Sequence, residues 1–121
     1  MPALAGLPRL LLRLEGAAVL AGSLVLYFDQ DFGWLLLVLL ALAPDLAMVG
    51  YAAGERVGAA AYDLVHTEAL PVALGLVGVL ADRELAVQLA LIWLAHIGAD
   101  RLLGYGLKYP TAFRDTHLQR V

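Results

Sequence analysis

The sequence predicts an all-α integral membrane protein that folds as a four-helix up-down bundle. The chain has 121 residues, of which 62% are hydrophobic, and its mean hydropathy is +0.80. A soluble domain of this size is about half apolar, so one small core could not bury this much apolar surface. The apolar residues also fall into four stretches, each close to the roughly 20 residues that a helix needs to cross a bilayer.

Four spans are predicted within a single domain that covers residues 1–121, and short polar connections separate them. The spans cover residues 7–28, 33–53, 58–80 and 85–103. The connections DQD, GER and ADRE are so short that consecutive helices must be antiparallel neighbours. Pro8 suits a helix start, whereas Pro44 and Pro71 predict kinks inside the second and third spans.

The last residues, 104–121, differ from the spans and predict a short segment at the membrane interface. Phe113 and Leu118 would anchor this segment on the membrane surface. The alternative is a lid over the cytoplasmic mouth of a site. In that version three basic residues would bind the phosphate of a lipid or of another anionic substrate: Arg101, Lys108 and Arg114.

The basic residues predict the direction of the spans. Of the eight Lys and Arg residues, only Arg83 falls on the side of the DQD and ADRE connections. Because cytoplasmic loops carry the excess of Lys and Arg, both termini are expected to face the cytoplasm.

Composition excludes two classes of partner and site. The net charge is −3, which argues against a nucleic-acid partner. The chain has no cysteine, so neither a disulfide framework nor a thiolate metal site can form.

Ionisable residues from all four spans are predicted to meet in the cytoplasmic half of the bundle. Such groups cost a few kcal/mol each inside a membrane, and they normally face a partner or a wet cavity. They are Glu15 in the first span, Asp45 in the second, Asp63, His66 and Glu68 in the third, and His96 and Asp100 in the fourth.

The spacing of these residues predicts a divalent metal site. Asp63 and His66 share a helix face at i,i+3, and His96 and Asp100 share one at i,i+4. Imidazole and carboxylate without thiolate suit Zn²⁺, Mn²⁺ or Fe²⁺, and a cation would offset the repulsion between the carboxylates. The predicted ligands are Asp45, Asp63, His66, His96 and Asp100. The alternative is a set of structural hydrogen bonds between helices.

Several motifs resemble a family of small bacterial integral-membrane proteins of unknown function. They are PDLAMVGY at 44–51, YDLVHTEALP at 62–71, AHIGADRLLGYGLKYP at 95–110 and FRDTHL at 113–118. The resemblance covers most of the chain. It implies four membrane spans and no particular activity. The expected location of the chain is the bacterial inner (cytoplasmic) membrane.

A fainter resemblance is to metal-dependent hydrolases of the inner membrane, which carry Pro-Asp, His-Thr-His and a late His and Asp one turn apart. Here PD at 44–45, HT at 66–67 and HIGAD at 96–100 are similar. The resemblance implies Asp45, His66, His96 and Asp100 as ligands. The chain departs from that pattern at Glu68, which stands in place of the second His.

These observations favour a membrane-embedded metal-dependent hydrolase that acts on a lipid or amphiphilic substrate from the cytoplasmic leaflet. Glu15 or Glu68 would be the catalytic general base. Membrane lipid is the expected partner, and small residues at Gly16, Ala17 and Gly22 also allow a homodimer.

Three alternatives remain open from the sequence. The first is a haem held between His66 and His96. The second is a proton or cation pathway, although the outer half of each span offers no polar steps. The third is a structural four-helix membrane protein without catalysis.

Overall fold

The computed structural model describes residues 6–107 and Leu118, and this part of the chain is all-helical. Lys108, Arg114 and Phe113 lie outside the described residues. The elements are α1 (Leu7–Asp29), α2 (Trp34–Leu40), a 3-10 helix (Ala43–Ala53), α3 (Glu55–His66), α4 (Ala69–Leu80) and α5 (Glu84–Leu103).

These elements form four helical spans that are long and apolar enough to cross a membrane. Span 1 is Leu7–Asp29, span 2 is Trp34–Ala53, span 3 is Glu55–Leu80 and span 4 is Glu84–Leu103. The predicted all-α fold with four membrane-length helices is therefore confirmed. By the length and composition of its helices, the chain is a multi-pass membrane protein.

Apolar side chains cover much of the outside of the bundle. Leu80 is 85% exposed and Val49 is 73% exposed, and large aliphatic side chains on all four spans are similarly open. Monomeric soluble proteins rarely expose such a continuous apolar surface. A bilayer takes the place of water around this surface, which explains the high hydropathy of a chain with a small core.

Span 1 and span 4 approach each other at two glycines. A Cβ on Gly98 would lie 2.6 Å from the backbone nitrogen of Leu20 and 2.8 Å from the carbonyl oxygen of Gly16. A Cβ on Gly16 would in turn meet the backbone around Arg101. Small residues at such crossings let membrane helices pack backbone to backbone. The contact fixes span 4, which carries His96 and Asp100, against span 1.

Span 2 changes its helical form at Pro44. The α-helix ends at Leu40, and the chain continues from Ala43 as a 3-10 helix. The amide of Asp45 bonds to the carbonyl of Leu42 at 3.0 Å, and Pro44 has no amide hydrogen to offer. The carbonyl of Ala41 therefore receives no hydrogen bond from Pro44 or Asp45.

Span 3 breaks before Pro71. Helix α3 ends at His66, Thr67 has an extended conformation with φ −86° and ψ 139°, and α4 begins at Ala69. The ring of a proline clashes with the carbonyl four residues earlier, here that of Thr67. The predicted kinks in spans 2 and 3 thus take the form of breaks, and both breaks lie next to ionisable residues.

Span 4 ends at Gly104, whose φ of 95° is the left-handed conformation that favours glycine. The amide of Tyr105 bonds to the carbonyl of Asp100 at 2.8 Å, and the amide of Gly104 bonds to that of Arg101 at 3.1 Å. This pair of bonds is a Schellman motif. It turns the chain at Gly104, one helical turn after Asp100, and brings the carbonyl of Tyr105 close to Arg101.

Candidate metal centre

Four potential metal ligands from spans 2, 3 and 4 meet at one point in the bundle. One atom from each of Asp45, His66, His96 and Asp100 lies within 4.8 Å of the others. Oδ1 of Asp45 is 3.1 Å from Nε2 of both histidines. Oδ2 of Asp100 is 3.4 Å from Nε2 of His66 and 3.3 Å from that of His96. The two Nε2 atoms are 3.2 Å apart.

The backbone determines which nitrogen of each imidazole faces this point. Nδ1 of His66 lies 2.8 Å from the carbonyl oxygen of Tyr62, and Nδ1 of His96 lies 2.7 Å from that of Ala41. A carbonyl oxygen only accepts hydrogen bonds, so each Nδ1 carries the proton and donates it. In the neutral rings both Nε2 atoms then present lone pairs to the centre, which is the usual arrangement for metal-binding histidines.

The spacing of the four atoms fits a small divalent ion. Zn²⁺ binds His nitrogen and carboxylate oxygen at about 2.0–2.2 Å, so two ligands of a tetrahedral ion lie roughly 3.3–3.5 Å apart. Five of the six separations, given above, run from 3.1 to 3.4 Å, and the sixth, between the two carboxylates, is within 4.8 Å. The residues therefore fit a metal ion in donor type and orientation, and five of their six separations suit a tetrahedral ion.

Tyr62 supports two of these side chains. Its ring stacks on the ring of His66 with centroids 3.6 Å apart and planes at 6°. Its hydroxyl donates to Oδ2 of Asp100 at 3.3 Å. Because Tyr62 is only 2% exposed, it holds the imidazole and the carboxylate in place from within the packed interior.

Arg101 connects the break in span 3 to the end of span 4. Its Nη2 donates to the carbonyl of His66 at 2.9 Å, and its Nη1 donates to that of Tyr105, also at 2.9 Å. These contacts satisfy one carbonyl at the end of α3 and one just past the end of α5. Arg101 thus binds backbone, and among residues 6–107 and Leu118 the basic side chains within 4 Å of the Asp45 and Asp100 carboxylates are the two histidines.

The centre is open on one side only. The side chain of His66 is fully buried and that of His96 is 4% exposed, whereas Asp100 is 16% and Asp45 is 31% exposed. Asp45, His96 and Asp100 form part of the wall of a cavity of about 350 Å³. The two carboxylates are therefore the accessible edge of the cluster, and the imidazoles are its buried edge.

The structure also places the other residues that the sequence predicts for the site. Asp63 lies on α3 but is not one of the four converging groups. Glu15, Glu68 and Arg101 line a second cavity of about 260 Å³, together with Thr67. This second cavity shares no wall residue with the cavity of the metal ligands. Lys108 and Arg114 lie outside the described residues.

Two groups that support the histidines cannot be found by looking for ionisable residues in the sequence. Tyr62 is a neutral side chain, and the carbonyl of Ala41 belongs to the backbone. Both have a signal in the sequence, since Tyr62 precedes His66 by four residues and Ala41 precedes Pro44 by three. Two kinds of group can therefore be sought in a sequence as supports for a metal-binding histidine. One is the residue one helical turn before it, and the other is a backbone carbonyl that loses its helical hydrogen bond because a proline follows.

A comparison with protein families matches residues 9–121 to the family described as "Domain of unknown function (DUF4260)". The match spans nearly the whole chain, as the resemblance to a small uncharacterised membrane family implies. Comparisons with curated proteins and with solved structures found no match. The fainter resemblance to inner-membrane hydrolases therefore has no support from these comparisons.

Proposed function

This chain belongs to the DUF4260 family, and we propose that it is a membrane-embedded metal-dependent hydrolase that acts on a lipid or another amphiphile. The observation that carries the proposal is the orientation of His66 and His96. Both rings use Nδ1 to bind backbone carbonyls and turn Nε2 towards two carboxylates. Four acceptor atoms facing one another repel unless protons or a cation neutralise them, and a divalent ion does so while using all four as ligands.

The ligand set narrows the choice of ion to Zn²⁺, Mn²⁺ or Fe²⁺. The separations between ligand atoms favour Zn²⁺ if all four residues bind at once. Mn²⁺ and Fe²⁺ accept more ligands, so they would leave positions open for water or substrate. Catalysis requires such an open position, and the exposed carboxylate edge at Asp45 is where it would lie.

The residues around the centre have separable roles in this proposal. A bound divalent ion would supply a water of lowered pKa and polarise the scissile group. His66 and His96 hold their Nε2 atoms in place, Tyr62 orients Asp100, and Asp45 is the carboxylate most accessible for proton transfer. Glu15 and Glu68 line the other cavity, so a base role for either would require a proton path around Arg101.

The expected side of access is the cytoplasmic leaflet. The excess of Lys and Arg at one end of the spans predicts that this end is cytoplasmic. The predicted direction places Asp45 in the later half of span 2 and His66 in the first half of span 3, both just to the cytoplasmic side of mid-span. The proposal therefore has the substrate reach the metal from the inner leaflet of the bacterial cytoplasmic membrane.

Metal content and turnover test the proposal together. The protein would be purified from media defined in Zn, Mn or Fe, reconstituted in nanodiscs, and analysed for bound elements. We expect about one equivalent of one metal in the native protein and less than a tenth in a His66→Ala/His96→Ala variant of equal helical content. Incubation with a total lipid extract, followed by mass spectrometry, should reveal a hydrolysed species that this variant does not form.

The outcomes separate the two parts of the proposal. Bound metal without any hydrolysed lipid would reject the hydrolase and leave a structural metal centre. Absence of metal in every native preparation would reject both parts.

The geometry disfavours haem between His66 and His96. Two axial imidazoles on one iron lie about 4 Å apart, because metal–nitrogen bonds are about 2 Å long. The Nε2 atoms here are 3.2 Å apart, and carboxylate oxygens lie beside both of them. A porphyrin ring would have to occupy that space, so added haemin should produce no Soret band.

A further inference from the structure

We propose that the cavity beside the metal centre binds one hydrocarbon chain of the substrate, with the reacting group at the end formed by Asp45, His96 and Asp100. This inference rests on the proposed function, and it adds the place and size of the chain that the protein accepts. Nothing in the family description assigns a ligand to this cavity.

The wall of the cavity is apolar except at the metal ligands. Leu20 and Leu24 of α1, Leu37 of α2, and Ala95 and Ala99 of α5 line it. Its polar side chains are Asp45, His96 and Asp100, all of which belong to the cluster. A molecule that fills the cavity therefore meets hydrocarbon along its length and polar groups only at the metal centre.

The packing of the spans explains why a cavity lies there. Span 1 packs along span 4, the 3-10 helix of span 2 packs against α3, and α4 packs against α5. Span 1 and span 2 are not among these closely packed pairs. Leu42 of span 2 and Leu103 of span 4, which also line the cavity, are 71% and 67% exposed, so the cavity between spans 1, 2 and 4 borders the lipid.

The environment selects the chemical class of ligand. A polar, water-soluble molecule would lose its hydration in an apolar cavity and find few partners there. A hydrocarbon chain moves from lipid into an apolar cavity at little cost, because lipid tails are as apolar as leucine. Binding energy then comes from the polar end at the metal centre, so the ligand is an amphiphile and not a pure hydrocarbon.

The volume limits the length of chain that fits. The cavity measures about 350 Å³. Since a cavity of about 150 Å³ in another protein holds benzene, this volume has room for roughly a dozen carbons. That is enough for one chain and too little for two. Longer chains would extend from the cavity into the surrounding lipid.

Photolabelling locates the chain directly. The probe is a dodecyl hydroxamate with a diazirine near the far end of its chain, added to the metal-loaded protein in nanodiscs. The hydroxamate is a metal-binding group that stands in for the reacting end. We expect the label on the cavity wall, at Leu20, Leu24 or Leu37, as mapped by peptide mass spectrometry. A Leu24→Trp variant fills the cavity and should lower this label at least five-fold.

The matched control is Val25→Trp. Val25 is the next residue along α1, but it is 67% exposed and faces outward, so its variant should label like the native protein. A Leu24→Ala variant widens the cavity and should raise the labelling by a hexadecyl hydroxamate relative to the dodecyl probe. Because Leu24→Ala is expected to increase labelling by the longer probe, the proposal can still be tested if Leu24→Trp fails to fold.

Label spread over the outer surface, and equal in Leu24→Trp and Val25→Trp, would overturn the chain site. If those samples still held one equivalent of metal, the proposed metal function would survive that result. Conversely, if every native preparation lacked metal and the cavity were still labelled, the chain site would stand, the hydrolase would be rejected, and the binding energy could not come from a metal.

Discussion

The imidazole rings of His66 and His96 face each other with their Nε2 atoms 3.2 Å apart, although in the neutral rings neither Nε2 has a proton to donate to the other. Their Nδ1 protons are already donated to the carbonyls of Tyr62 and Ala41. Two lone pairs at this distance do not attract each other, and the oxygens of Asp45 and Asp100 add more acceptors. The centre of the bundle is thus prepared for a positive charge.

The first prediction is that Asp45 binds the metal and Asp63 does not. Asp45→Asn removes the negative charge from a ligand that lies 3.1 Å from both Nε2 atoms, so metal affinity should fall by more than about 100-fold, above the range typical of outer-shell changes. Asp63→Asn is the control, because Asp63 is outside the converging group. Metal titration in detergent measures the affinity of each variant. Equal losses in the two variants would contradict the ligand set described above.

The second prediction concerns stability. A ligand that binds only the folded state stabilises it by about 2.7 kcal/mol at 100 times its dissociation constant. Adding the bound metal at that concentration should raise the free energy of unfolding by this amount, and a chelator should reverse the gain. Unfolding in mixed detergent micelles, followed by helical circular dichroism, provides the measurement. The His66→Ala/His96→Ala variant should gain nothing, and an equal gain there would place the metal elsewhere.

The third prediction concerns Tyr62. Tyr62→Phe keeps the ring that stacks on His66 and removes the hydroxyl that donates to Asp100. At 3.3 Å this hydrogen bond is long, so the loss of metal affinity should be about 10-fold, the lower end of the range for groups that orient ligands.

A second buried tyrosine provides the control for Tyr62→Phe. The hydroxyl of Tyr27 donates to the carbonyl of Gly33 and accepts from Gln88 at 2.9 Å, and it touches none of the four ligands. Tyr27→Phe should lower stability without changing metal affinity. Metal binding that is unchanged in Tyr62→Phe as well would show that the hydroxyl does not position Asp100.

The number and nature of the helices follow from composition, because lipid accepts apolar side chains that water would not. The form of span 2 does not follow in the same way. Pro44 predicts a kink, but an 11-residue 3-10 helix from Ala43 to Ala53 is unusual. It packs against α3, where the ring of Tyr51 occupies the space that a Cβ on Gly58 would need. Such packing depends on the partner helix and has no local signal.

The depth of the site can be predicted from the sequence better than its orientation around each helix. Depth follows from the position along a span, and it groups Asp45, His66, His96 and Asp100. Orientation is harder: Asp63 shares a face with His66 at i,i+3, yet Tyr62 at i,i+4 is the residue that stacks on the ring. A break in the helix after His66 then changes the direction of Glu68 relative to the residues before it. Short-range spacing alone could not determine these outcomes.

The fourth prediction concerns Arg101, whose guanidinium bonds to two carbonyls at once. Arg101→Lys replaces this planar group with a single ammonium that cannot reach both carbonyls. The site is 8% exposed, so losing one charge-assisted hydrogen bond should lower the free energy of unfolding by about 1.5–3 kcal/mol.

Arg13→Lys is the matched control for Arg101→Lys. Arg13 also bonds to a backbone carbonyl, that of Leu102 at 2.8 Å, but it does so at an exposed site. Its variant should lower the free energy of unfolding by less than about 1 kcal/mol. Equal changes in the two variants would mean that the burial of Arg101 contributes nothing.

The fifth prediction links the helix crossing to the metal centre. A Cβ on Gly98 would meet the backbone of Leu20 at 2.6 Å, and backbone cannot move aside as a flexible side chain can. Gly98→Ala should therefore push α5 away from α1 and lower the free energy of unfolding by at least about 1–3 kcal/mol, the usual range for overpacking. Because α5 carries His96 and Asp100, metal affinity should fall in the same variant.

Gly22→Ala tests whether the effect of Gly98→Ala comes from contact. Gly22 also lies inside α1, but a Cβ there has no atom within 4 Å. Alanine in a helix interior is more favourable than glycine by roughly 0.5–1 kcal/mol, so this variant should be as stable as the native protein or more so. Its metal affinity should stay unchanged. If Gly98→Ala behaved like Gly22→Ala in both measurements, α1 and α5 could not be in backbone contact, and the position of His96 would need another explanation.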